Sequence, residues 1–177
     1  MLYNDCLLGL YDSTVREEDA AGYARCADRL RQAESHPTYG YLFKTLRTLC
    51  EVLALKYTIG VRTREAYAAG SRSDVAALLP DYDVLLQRIE EFYRAFREQW
   101  MQENKPNGFE IQDARLGGLY FRVRHCRERL AAYAENRLAS LDELAEPLLY
   151  VTGAGEALQK TPLCDNDWGI AISAGVL

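Results

Sequence analysis

The chain has 177 residues, of which 49% are hydrophobic and 27% charged, and its net charge is -5 at neutral pH. This composition is typical of one globular domain and excludes a disordered protein. The negative net charge disfavours a nucleic-acid partner. No apolar run approaches the ~20 residues that span a bilayer. We therefore expect a soluble domain with no nucleic-acid or membrane partner.

Helical periodicity covers most of the chain and predicts an all-α fold, an antiparallel helical bundle of about four to five helices. An irregular N-terminal segment, residues 1–15, precedes a first helix over about 18–34. This helix ends before Pro37, because the residue before a proline avoids helical angles. The second helix extends from about Tyr39 to Ala69.

The third helix has the most regular apolar stripe, which recurs every three or four residues from Val75 to Trp100. We expect Ser73 to cap its N-terminus and Glu103 to lie near its end. Pro80 falls inside the stripe, so it either kinks this helix or begins a new one in its first turn.

A cluster of helix-breaking residues, 104–108, ends the third helix, and residues 109–112 are expected to be extended or irregular. The fourth helix is predicted over about 113–138, with Asp113 as its cap. Ser140 and Glu143 have the spacing of a capping box, which predicts a short fifth helix. We therefore divide the chain into a bundle domain, 1–150, and a non-helical tail, 151–177, with one candidate strand near Trp168.

Five cysteines, an odd number without Cys-x-x-Cys spacing, are typical of free thiols in a reducing compartment. Cys50 and Cys126 fall on apolar helical faces, so we interpret them as small buried hydrophobic residues. The two histidines, His36 and His125, complete no metal-ligand pattern. The sequence thus predicts a cytoplasmic protein without metal or cofactor.

No arrangement of residues indicates catalysis. Nucleophile elbows and glycine-rich phosphate loops are absent from the sequence, and the Asp142–Glu143 pair fits a helix N-terminus better than an acid/base dyad. Arg115, Arg122 and Arg129 recur every seven residues on the fourth helix. An RNA-binding stripe is one interpretation, but ion pairs across helix interfaces are favoured because acidic residues interrupt the positive field.

The stretch from Trp100 to Gly118 is the most unusual part of the chain, since it joins two strong helices and concentrates aromatic residues, charges and glycines. It is either an ordered connection that satisfies its own backbone or a loop that contacts another domain or subunit. The candidate contact residues are Trp100, Phe109, Glu110, Gln112, Asp113, Arg115, Gly117 and Gly118.

Several motifs together point to a family. They are Leu2-Tyr3-Asn4-Asp5, Arg62-Thr63-Arg64, Lys105-Pro106 with Gly108-Phe109, and Arg115-Leu116-Gly117-Gly118-Leu119. This set resembles the C-terminal helical domain of one bacterial branch of glycoside hydrolase family 20, the exo-acting β-N-acetylhexosaminidases. The resemblance extends over nearly the whole chain, and residues 105–119 are its most specific part.

The resemblance implies a non-catalytic role. In that family a (β/α)8 barrel precedes the helical domain, and the substrate's own acetamido oxygen attacks the anomeric carbon with help from an Asp–Glu pair on the barrel. No residue of this chain takes over that chemistry, so we expect the isolated chain to be inactive. The implied partners are the catalytic barrel of the parent enzyme and a second copy in a homodimer.

Apolar residues at both ends, such as Leu8 and Trp168, have nothing local to pack on in the predicted bundle. We therefore expect an exposed apolar patch and self-association through it. A rival interpretation is a free-standing helical adaptor, which binds a protein partner in a groove between the second and third helices.

Overall fold

A computed structural model describes residues 1–147, which form a helical bundle. After a 3-10 turn at Asp12–Thr14, the helices are α1 (Glu17–Ala33), α2 (Gly40–Ala68), α3 (Arg72–Ala77), α4 (Leu79–Glu103), α5 (Phe109–Ala134) and α6 (Asp142–Ala145). The described residues contain no strand, so the predicted all-α class is confirmed. The predicted tail and its candidate strand lie outside the described residues. No helix within residues 1–147 has the length and apolar character that crossing a membrane requires.

The long helices α2 and α4 lie antiparallel, as contacts at both of their ends show. Near the start of α2, the Thr45 hydroxyl donates to the carbonyl oxygen of Ala95 over 3.2 Å. Near its end, the Thr63 and Tyr82 hydroxyl groups are 2.9 Å apart and share a hydrogen bond. Both threonines are buried, so these bonds satisfy polar groups that would otherwise be costly in the core.

The apolar stripe predicted for the third helix forms the centre of the core. Its members on α4 pack with an apolar face of α5, and each fully buried Leu, Ile or Val contributes about 1.5 to 3 kcal/mol relative to an exposed one. The most deeply buried residues of these two helices are Tyr82, Leu85, Ile89, Ala95, Phe109, Leu116, Leu119, Val123, Cys126 and Leu130.

The N-terminal segment packs into this core, so the expectation that it has nothing local to pack on is wrong. Leu7 is fully buried and Cys6 is 2% exposed, whereas Leu8 faces outward. The segment approaches α2 closely at Gly60, where a Cβ atom would lie 3.5 Å from the Cys6 carbonyl oxygen and 3.3 Å from the Asp12 carboxylate. The apolar side chains of an irregular segment follow no period, so their burial has no periodic signal.

The region predicted as the third helix contains two helices, α3 and α4, and Pro80 lies in the first turn of α4, which is the second of the two alternatives that the sequence left open. A proline is tolerated there since the first amides of a helix have no intrahelical partner. The cap of α3 is Ser71, not Ser73: its hydroxyl oxygen accepts a hydrogen bond from the backbone amide of Asp74 over 3.1 Å.

Helix α5 begins four residues before the start that the sequence predicted for the fourth helix. Residues 109–112 are helical, and α5 starts after Gly108, whose φ of 96° suits a residue without a side chain. Asp113 therefore lies inside the helix and is not its cap. The predicted capping box is also wrong, because Leu141 occupies the cap position of α6 and Glu143 pairs with Arg129 over 2.8 Å.

Candidate functional site

The predicted contact loop is mostly helical. Trp100 belongs to the last turn of α4, the other seven candidate residues belong to α5, and the connection between the two helices is limited to residues 104–108. The candidate residues therefore have fixed positions on helix faces, and each can be examined by what it contacts.

Trp100 and Phe109 are part of an aromatic cluster that closes this end of the α4–α5 pair. Their ring centroids are 5.6 Å apart, and the Phe96 ring lies 5.7 Å from Phe109 and 6.1 Å from Trp100. The Trp100 indole N–H donates to the carbonyl oxygen of Lys105 over 2.9 Å, and Phe109 is 3% exposed. These two candidates thus stabilise the turn between the helices.

Asp113 and Gly117 line an open groove between α4 and α5, with a volume of about 420 Å³. Gly117 leaves space there, since a Cβ atom at this position would meet no atom of the described residues within 4 Å. The floor is apolar and the walls carry aromatic rings and two carboxylates. The full lining is Ile89, Glu90, Tyr93, Asp113, Leu116, Gly117, Tyr120 and Phe121.

The polar groups of this groove lie on its rim. The Tyr93 hydroxyl donates to the Asp113 carboxylate over 2.8 Å, and this hydrogen bond to a negative group raises the pKa of Tyr93. Glu90 forms an exposed ion pair with Arg94 one turn further along α4. The described residues contain no cluster of His, Cys, Asp or Glu able to hold a metal ion.

The remaining candidates do not join the groove. The Glu110 carboxylate accepts a hydrogen bond from the Gly108 amide over 2.6 Å and so satisfies the helix start. The Arg115 guanidinium lies 5.0 Å above the Tyr3 ring, which fixes the N-terminal segment. Gln112 and Gly118 are half-buried on α5.

Two arginines of the stripe on α5 pair with carboxylates of the chain, as the favoured interpretation predicted, whereas Arg115 lies over the Tyr3 ring. Arg122 forms a two-pronged bond with Asp5, with N–O distances of 2.5 and 3.1 Å, and Arg129 pairs with Glu143. Burial alone would raise the pKa of Asp5, but the Arg122 hydrogen bond and two backbone amides hold it below its ordinary value. The same pairing raises the pKa of Arg122.

A buried polar cluster around Asn4 was missed by sequence reasoning. Lys56 is 3% exposed and donates its ammonium proton to the Asn4 carbonyl oxygen, while the Asn4 amide donates to Asp12 over 2.8 Å. Burial raises the pKa of Asp12. The available signal was a lysine within the apolar stripe of α2, at Lys56.

Comparison with protein families identifies a match over most of the chain. The family model described as the Glycoside Hydrolase 20C C-terminal domain matches residues 1–161 of the chain, which includes the N-terminal segment, the groove and the helices between them. No curated protein matches the chain.

Proposed function

The chain belongs to the Glycoside Hydrolase 20C C-terminal domain family, and on that premise we propose that it supports the catalytic barrel and the dimer assembly of a β-N-acetylhexosaminidase. Such an enzyme removes terminal β-linked N-acetylhexosamine from glycans. In this proposal the bundle is the non-catalytic domain, and the groove between α4 and α5 is the surface through which it contacts the barrel or the partner subunit.

The position of the groove carries the proposal. Asp113, Leu116 and Gly117 line it, and all three belong to the stretch in which the chain resembles the family most closely. The two glycines of that stretch cost roughly 2 kcal/mol in helix propensity relative to alanine. At Gly117 no internal close packing accounts for this cost, because a Cβ atom there would meet open space within the described part of the chain. We therefore attribute the glycine at position 117 to a group from outside the bundle, which approaches the helix where a side chain would otherwise stand.

The surface around the groove is suited to a protein contact. Phe121, which lines the groove, is 62% exposed. A large exposed apolar side chain beside an apolar groove is typical of interaction surfaces, in which it becomes buried on assembly. Phe121 therefore supports the proposal that this face of α5 contacts another domain or subunit.

The acidic pair near α6 supports the non-catalytic role. Glu143 is bound by Arg129, and this hydrogen bond outweighs partial burial and holds the pKa of Glu143 below its ordinary value. A general acid needs a raised pKa near the working pH, so Glu143 is the wrong kind of carboxylate for that task. Asp142 begins a short helix, where a negative charge is stabilised by the helix dipole.

The experiment blocks the groove in the intact parent enzyme. Gly117→Leu places a branched side chain in the groove, whereas Gly22→Leu adds the same side chain to α1, where a Cβ atom has its nearest neighbour at 3.9 Å. We expect Gly117→Leu to weaken the dimer, measured by analytical ultracentrifugation, and to raise KM at least several-fold with unchanged secondary structure. Gly22→Leu should do neither. Unaltered assembly and kinetics in Gly117→Leu would contradict the assignment of the groove.

The rival interpretation, a free-standing adaptor, loses the groove it was expected to use. Between α2 and α4 the space is filled by packed side chains such as Val52, Ile59 and Tyr82. The groove of about 420 Å³ lies between α4 and α5. Family membership favours a domain of an enzyme over an independent adaptor.

A further inference from the structure

The turn between α4 and α5 contains an asparagine that is followed by a glycine. Asn107 and Gly108 lie between the end of α4 at Glu103 and the start of α5 at Phe109, and Asn107 is exposed. A glycine has no Cβ atom, so no side chain obstructs the approach of the Gly108 nitrogen to the side-chain carbonyl carbon of Asn107. Asn107 is the one asparagine within residues 1–147 that precedes a glycine.

The backbone on either side of this pair is held in place. Before the pair, the Trp100 indole N–H donates to the carbonyl oxygen of Lys105 over 2.9 Å. After it, Phe109 is 3% exposed, and its ring packs on Trp100 with the centroids 5.6 Å apart. Gly108 has a φ of 96°, in the left-handed region that glycine adopts without strain. A change in the length of this backbone would therefore act on the contacts that close this end of the helix pair.

A carboxylate lies against the backbone nitrogen of Gly108. The amide N–H of Gly108 donates to the Oε2 atom of Glu110 over 2.6 Å. That distance falls within the range of about 2.6 to 3.2 Å that a general base needs to remove a proton. Glu110 is exposed, as Asn107 is, so water reaches both side chains. A nucleophilic nitrogen, an accessible carbonyl carbon and a base thus meet in this turn.

We propose that Asn107 is a site of spontaneous deamidation, assisted by Glu110. This inference does not depend on the proposed function. The Gly108 nitrogen attacks the side-chain carbonyl carbon of Asn107 while its proton passes to the Glu110 carboxylate. The bond from this carbon to the side-chain nitrogen then breaks, the proton returns from Glu110 to the leaving nitrogen, and ammonia departs from a cyclic succinimide. Water opens the ring at either carbonyl, so one asparagine and one water give ammonia and either aspartate or isoaspartate.

Two other exposed asparagines lack this combination and serve as comparisons within the same molecule. Asn104 lies in the same turn, but Lys105 follows it, and the lysine side chain obstructs closure of the ring. Asn136 is followed by Arg137, whose backbone nitrogen donates to the Ala132 carbonyl oxygen over 2.8 Å and is held away from attack. Asn107 should therefore convert before either of them.

The products change the start of α5. Both add a negative charge beside the N-terminus of the helix, where the helix dipole stabilises it. Isoaspartate also adds a methylene group to the backbone directly before Gly108, and this longer backbone disturbs the turn that Trp100 and Phe109 hold. We therefore expect the fraction of aged protein that carries isoaspartate to unfold at a lower temperature than fresh protein.

The test incubates the full chain at neutral pH and locates deamidation by peptide fragmentation in a mass spectrometer. We expect Asn107 to convert to a mixture of aspartate and isoaspartate, the latter labelled by isoaspartyl methyltransferase, while Asn104 and Asn136 stay unchanged over the same time. Glu110→Gln keeps an oxygen for the Gly108 amide but removes the base, so it should slow the conversion at least several-fold. Glu103→Gln, which removes a neighbouring carboxylate at the end of α4, should convert at the wild-type rate.

The pH dependence of the rate separates assistance by Glu110 from simple hydroxide catalysis without relying on the fold of a variant. Around neutrality the wild-type rate should rise less steeply than in proportion to hydroxide concentration, whereas the rate of Glu110→Gln should follow hydroxide. Conversion of Asn107 no faster than that of Asn104 would overturn the proposal. Equal rates in wild type and Glu110→Gln, or a wild-type rate proportional to hydroxide, would also overturn it, because Glu110 would then have no part in the reaction.

Discussion

At the residue scale, the main anchor of the N-terminal segment is the contact between Asp5 and Arg122. The Asp5 side chain is 9% exposed, and its carboxylate accepts bonds from Arg122 and from the amides of Leu7 and Leu8. These bonds fix the turn that inserts Leu7 into the core. A short ion pair with additional backbone bonds is the kind of buried charge that a fold tolerates.

Replacing Asp5 by Asn should therefore destabilise the fold by about 2 to 4 kcal/mol, because Arg122 would be left partly buried without its counter-charge. Urea unfolding of the chain measures this change. The matched control is Asp83→Asn, which removes the partner of Arg127 in a pair where Asp83 is 55% exposed. That substitution should cost less than about 1 kcal/mol. Equal effects of the two variants would contradict the anchor.

The pH dependence of stability should differ in the same way. The pKa of folded Asp5 lies below its ordinary value, so its contribution is complete above the ordinary carboxyl pKa of about 4 and is lost as the pH falls through the folded value. The difference in unfolding free energy between wild type and Asp5→Asn should thus be constant near neutrality and shrink below about pH 4. A difference that grows on acidification would show that another group is responsible.

At the scale of elements, α5 combines two functions that impose opposite demands. One face, with Leu116, Leu119 and Val123, is buried in the core. The adjacent face carries Gly117 and an exposed Phe121 beside the groove. Packing alone would favour a larger residue than glycine at position 117, so the helix gives up some stability at its open face.

Gly117→Ala should accordingly stabilise the chain by about 0.5 to 1 kcal/mol, since alanine is the better helix former and its methyl group would meet open space. Gly60→Ala is the control within α2, where the added methyl group would lie 3.3 Å from the Asp12 carboxylate, and it should destabilise. Thermal unfolding of both variants measures the two signs. A destabilising Gly117→Ala would indicate that the groove is filled by the chain itself.

Sequence reasoning predicted regular elements well and irregular contacts poorly. The stripe through Tyr82, Leu85 and Ile89 was recognisable because periodicity reports directly on which side of a helix is buried. The bond between Asp5 and Arg122 joins residues 117 positions apart, so no local pattern could indicate it. Of the candidate site residues, the structure brings Asp113 and Gly117 together in the groove, and it turns Arg115 toward the N-terminal segment.

At the scale of the whole molecule, the described bundle has a complete core and an open surface. The interior is packed around α2, α4 and α5, while the groove and the exposed Phe121 lie on the α4–α5 side. This is the arrangement expected of a supporting domain, and it agrees with membership of the Glycoside Hydrolase 20C C-terminal domain family.

The non-catalytic role of the chain is tested most directly by an assay of the hydrolysis of a chromogenic aryl β-N-acetylglucosaminide. The assay compares the purified chain with a parent polypeptide that includes the catalytic barrel. We expect turnover by the barrel-containing polypeptide and none by the chain, at any pH between about 4 and 8 where carboxylate acid/base chemistry operates. Turnover by the chain alone, abolished in Glu143→Gln, would contradict its non-catalytic role.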